Sequence, residues 1–140
     1  MATVELAFSA LPVHVRTARL IVTAVARRSG VDEALLDEVR LAVGEACSRA
    51  VEAHRRHCPD QPVRLELRDD NGRFEVVVND TVPDGMADLV PPPAQPGTVR
   101  TDDPDSLGLA VISGLVDDVE IAPTNGGTQI RMGWPVGARV

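Results

Sequence analysis

Apolar and polar positions alternate from Thr3 to Phe8, with Val4, Leu6 and Phe8 on one side, and this period of two predicts a short strand. From Pro12 the period lengthens. Val15, Ala18, Ile21, Val22, Val25 and Ala26 recur at three- and four-residue steps to about Ser29, the stripe of an amphipathic helix that Gly30 ends. Asp32 suits the N-cap of a second helix, and Glu33 complements the positive end of its dipole. Leu35, Leu36, Val39, Ala42, Val43, Ala46 and Ala50 form its buried stripe, and Pro59 stops it. Two alternating strands follow, Val63 to Leu67 and Phe74 to Val78, around the hairpin turn Asp69-Asp70-Asn71-Gly72. From Thr81 to Pro104 the pattern gives way to Pro91-Pro92-Pro93 and Pro96-Gly97, the composition of a lid, a binding loop or an insert. A short helix over about Asp105 to Leu115 and a hairpin of Val119 to Ile121 with Thr128 to Met132 close the chain.

The order β-α-α-β-β-loop-α-β-β predicts one domain over 1–140, a two-layer α/β sandwich. Its sheet is expected to be mixed and mostly antiparallel, with the helices on one face. A doubly wound nucleotide fold is disfavoured, since strands and crossover helices do not alternate.

Composition narrows the chemistry. Across 140 residues, Asp+Glu number 21 against Lys+Arg 14, a net charge of -7, and the aromatics are only Phe8, Phe74 and Trp134. A basic face and a stacking platform are both missing, so direct nucleic-acid binding is not expected. All 14 basic residues are Arg, which excludes lysine as a phosphate cradle, Schiff base or general base; there is also no Tyr. Cys47 reads as a small core residue and Cys58 follows the helix; a disulfide between them stays open, but a reduced cytosolic chain is the simpler expectation. No basic n-region with an apolar h-region and no apolar run of membrane-spanning length is present, so cytoplasmic location without membrane contact is expected. His54 and His57 lie three residues apart near Cys58, without a third ligand at matching spacing. They read as surface residues at the helix end, and no metal site is assigned.

At about 100° per residue, Glu38, Glu45, Arg49 and Glu52 line one flank of the second helix. One reading is an electrostatic ladder in which Glu45 and Arg49, acid first at i,i+4, contribute about 0.2–0.5 kcal/mol. A functional reading comes from context. Glu45-Ala46-Cys47-Ser48-Arg49-Ala50, a strand ending Val78-Asn79-Asp80, a Pro-rich loop, Leu107-Gly108-Leu109 and the closing Gly127-Thr128 stand in an order that resembles the GHKL (Bergerat-fold) ATPases. Within these, the chain is similar to the small anti-sigma-factor serine kinases of bacterial partner-switching systems, and the likeness runs from Leu6 to Met132.

The resemblance implies a general base at Glu45 and, at Asp80, the carboxylate that accepts from the adenine amino group. Gly85, Gly108 and Thr128 are nucleotide-contact candidates from their places in the family's order, Arg100 is one as the only cation of the loop, and Arg49 is one if it meets phosphate. The chain departs from the family pattern at three motifs. Arg49 stands where the family has the Asn that holds Mg²⁺, and a guanidinium has five donors and no lone pair for a cation. Two roles remain for it, contacting phosphate in place of the metal's charge or neutralising Glu45. Val82 and Asp84 hold the glycine positions after Asp80, with Gly85 one place late, and Ser106 replaces a glycine before Gly108. Asp102, Asp103 and Asp105 sit immediately upstream of Ser106, poor company for a triphosphate, and Arg100 is the sole cation of that loop. ATP or ADP with Mg²⁺ is therefore expected to bind weakly or not at all.

The family binds a sigma factor and a STAS-domain antagonist in alternation, with an Arg of the first helix supporting both contacts. Arg19 takes that place, with Arg16 one turn earlier; a pair of solvated helix arginines is the plainer alternative. The function expected is an anti-sigma-type regulator with weak or lost ATP use. An active ATP-dependent serine kinase acting on the antagonist is the alternative, and a pure scaffold is a third. Homodimerisation is left open.

Overall fold

The computed structural model describes residues 2–70, 72–82, 112–116, 118–124 and 126–136. The chain runs β1 (Ala2–Phe8), α1 (Pro12–Ser29), α2 (Glu33–His57), β2 (Val63–Asp70), β3 (Arg73–Asn79), β4 (Asp118–Thr124) and β5 (Gly127–Pro135). Residues 112–115 are helical, the end of the helix expected over Asp105 to Leu115. The rest of that helix, and all of the expected 81–104 loop except Thr81 and Val82, lie outside the described residues.

Local chemistry sets the helix ends. Pro12 at the first turn of α1 fixes φ where no intrahelical N–H is needed. Gly30, at φ 102°, ends α1: its N–H donates to the Arg27 carbonyl and that of Val31 to Ala26, so the last carbonyls are satisfied. Asp32 then caps α2, its Oδ1 accepting from the Ala34 N–H at 3.1 Å.

The five strands lie in the order β1-β2-β3-β5-β4, and all four pairings are antiparallel. The parallel component allowed for in the sequence expectation is absent among the described strands. Two helices between β1 and β2 return the chain to the end it left, so β2 enters antiparallel. Alternation does the rest. Phe74, Val76 and Val78 of β3, with Leu65, Leu67, Ile130 and Met132, join Val22, Leu36, Val39, Val43 and Ala46 of the helices in one core. The opposite face of the sheet is charged: Arg131 donates to Glu75 at 2.7 Å and to Glu120 at 3.3 Å. These bonds hold its guanidinium pKa above the usual value. Val31, in the turn between the helices, pairs with Val136 beyond β5, and the Val136 N–H donates to Gly72 in the β2–β3 turn. One end of the helix layer is thereby tied to the sheet.

Candidate functional site

The helix flank, the end of β3 and the β4–β5 hairpin converge on Asp80. Its backbone N–H donates to the Thr128 carbonyl at 3.0 Å, and its Oδ1 accepts from the N–H groups of Val82 and Thr128, both at 3.1 Å. Gly127 permits this approach: a Cβ there would overlap the Asp80 carbonyl oxygen. The second oxygen, Oδ2, accepts from Nη1 of Arg49 at 3.0 Å. The pair is interior, with 2% of the Arg49 side chain and 1% of the Asp80 side chain exposed. Nε and Nη2 of Arg49 are buried and have no hydrogen-bond partner among the described residues.

This geometry corrects the flank. The expected Glu45–Arg49 ladder is not formed; Glu45 is exposed and Arg49 is bonded to Asp80 instead. Arg49 and Glu38 are eleven residues apart, hence within about 20° of one another around the helix, on the side turned toward the sheet. Glu38 there accepts from Trp134 Nε1 at 2.8 Å. Glu45 and Glu52 fall farther toward solvent, and Glu52 faces Arg55 at 3.9 Å.

His54 also departs from expectation. It is fully buried, not a surface residue, because it continues the Val43, Cys47, Ala50 stripe by one more turn. Its Nε2 accepts from the Thr81 N–H at 2.9 Å, which leaves Nδ1 to donate to the Gln61 carbonyl at 2.8 Å. The ring thus fastens the residue next to Asp80 to the end of α2. His57 is exposed. Cys47 is buried and burial pushes its thiol up to about 12, while Cys58 is half-buried; both are free thiols.

A second feature lies on the outer side of the helix layer. Pro12, Val15, Arg16 and Arg19 of α1 face Ser48, Val51, Glu52 and Arg55 of α2 across a groove of about 370 Å³. Gly44 leaves room for Arg19: a Cβ at that position would come within 2.9 Å of its Cδ. No ion pair joins Arg16 or Arg19 to a carboxylate among the described residues. The structure therefore brings the two expected arginines into one groove and adds Arg55, which the sequence reading missed; its position three and seven residues after Glu52 and Ser48 was the available signal. Asp80, Arg49 and Thr128 also come together, whereas Glu45 stands apart in solvent. Gly85, Arg100 and Gly108 lie outside the described residues. Gly127 entered the sequence reading only as part of the closing Gly127-Thr128, beside Gly126 in the hairpin turn. The doubled glycine was its signal, since the turn itself needs only one.

Among the described residues no helix is long and apolar enough to cross a membrane. A family described as Histidine kinase-like ATPase domain matches residues 8–134. No curated protein matches the chain. Solved structures do, among them the crystal structure of the RsbU and RsbW domains of Rv1364c from Mycobacterium tuberculosis, with a TM-score of 0.69 and 17% identity. The superposition covers 97% of this chain and 33% of that one, so the chain spans about a third of that structure's length. At this identity the likeness is one of fold.

Proposed function

The chain belongs to the histidine kinase-like ATPase domain family, and from that premise we propose that it is an anti-sigma-factor-type regulator in a partner switch. It binds a sigma factor, a STAS-domain antagonist or both, as one domain acting in the cytoplasm, and uses ATP weakly or not at all. The observation that carries this reading is the α1–α2 groove, where Arg16 and Arg19 make no ion pair among the described residues. Planar guanidinium forks beside the apolar Pro12, Val15 and Val51 suit a protein surface bearing carboxylates. The neighbouring α1 surface is apolar too, with Val13 and Leu20 largely exposed.

Capture from the native host tests the reading. The wild-type chain is expected to retain a sigma factor or a STAS protein, and the double variant Arg16→Glu/Arg19→Glu to lose it with its circular dichroism unchanged. A wild-type capture holding neither class of protein would leave a scaffold as the function.

One observation favours an active serine kinase as the second reading: Glu45 is exposed and not neutralised by Arg49. A carboxylate so placed is free to accept a proton from a hydroxyl. Transfer of phosphate from Mg-ATP to a serine of the captured STAS protein, lost on Glu45→Gln, would establish that reading. The leading reading expects weak transfer or none, far short of one phosphate per STAS serine.

A further inference from the structure

We propose that Arg49 is an internal plug of the nucleotide site, occupying on Asp80 the oxygen that a purine amino group would need. The inference concerns only the nucleotide side of the function proposed above. It rests on the family premise and not on partner capture, so each can fail without the other.

The residues present do not fit a magnesium nucleotide. An amino-purine needs a carboxylate oxygen as acceptor. Oδ1 of Asp80 is already used by two backbone N–H groups, and Oδ2 is held by Arg49. A divalent cation needs oxygen ligands, and the guanidinium offers none while adding a positive charge.

Two features show that the plug is separable from its socket. Asp80 is fixed by backbone groups of Val82 and Thr128 and by the close seat that Gly127 provides, none of which depends on Arg49. Taking Arg49 away therefore leaves the carboxylate oriented with one oxygen vacant. Arg49, in contrast, makes one hydrogen bond among the described residues and leaves Nε and Nη2 unpaired among them. A buried ion pair satisfied on one side only is a poor stabilising device, since desolvation offsets most of its attraction. Blocking the carboxylate accounts for it better than stability does.

The test uses the full chain and titrates ADP and ATP, each with Mg²⁺, by calorimetry. Arg49→Asn and Arg49→Met are expected to bind ADP about ten- to a hundredfold more tightly than wild type, the equivalent of one hydrogen bond to a charged acceptor. Adding Asp80→Asn to either variant is expected to abolish the gain. Wild type binding as tightly as the variants would overturn the proposal. So would folded variants that bind no better than wild type, since the missing glycines would then be sufficient to close the site. Failure of both single variants to fold would also overturn it, by making the pair a structural necessity.

Discussion

Asp80 and Arg49 share one ion pair but not one fate. Removing Arg49 leaves Asp80 with two backbone donors on Oδ1, whereas neutralising Asp80 strands a guanidinium whose Nε and Nη2 already lack partners among the described residues. Breaking a buried pair by removing one partner costs about 3–5 kcal/mol. Asp80→Asn is expected to fall in that range and Arg49→Met below it, as read from urea unfolding midpoints. The thiols give a second expectation at this scale. Burial raises Cys47 from 9.0 to about 12, so in the folded state it stays protonated where an unfolded thiol has ionised. Its contribution to stability is present in full below about pH 9 and is lost as pH climbs toward 12. At pH 8 a thiol reagent is expected to modify Cys58 in the folded protein, and Cys47 only after denaturant is added. Asp80 was legible because it ends a strand in a known order of motifs. The partner of Arg49 was not, because sequence offers Glu45 four residues away while the fold supplies a carboxylate thirty-one residues on.

Among the elements, periodicity and capping placed α1 and α2 almost to the residue, since Pro12, Gly30 and Asp32 punctuate the chain chemically, whereas β2, β4 and β5 each run three residues past the expected end, Asp69 and Asp70 included. His54 escaped because a polar ring on an apolar stripe is read as the stripe's end. Only the backbone groups of Gln61 and Thr81, unseen from sequence, give it a reason to be inside. The β4–β5 hairpin carries a comparable hidden constraint. Gly127→Ala would force a methyl into the Asp80 carbonyl, displacing the strand that also supplies the Thr128 N–H. A loss of about 1–3 kcal/mol is expected, checked by thermal unfolding. Gly126→Ala serves as the control, because a Cβ at Gly126 meets nothing within 4 Å.

At the scale of the molecule, the net charge of -7 coexists with a groove framed by Arg16, Arg19 and Arg55. Since exposed charges separated by more than about 8 Å are screened at physiological salt, partner association through this groove is expected to slow as salt rises. Dissociation, set by the apolar contacts, should change little. Surface plasmon resonance over a salt series with the captured partner separates the two rates. Sequence alone gave the arrangement of layers, because hairpins and helix returns dictate it; it gave no sign of which side of β3 would receive β5. That order has a consequence for a chain made from one end. In the finished sheet β3 lies between β2 and β5, yet forty-seven residues separate Asn79 from Gly127. Until the ribosome has released β5, the Val76-Val77-Val78 run is a bare sheet margin with the amides on its β5 side unmatched, the state in which nascent chains are most apt to join one another. Asp80 is likewise held by Thr128 only once that strand arrives, so the pocket is among the last parts of this protein to exist.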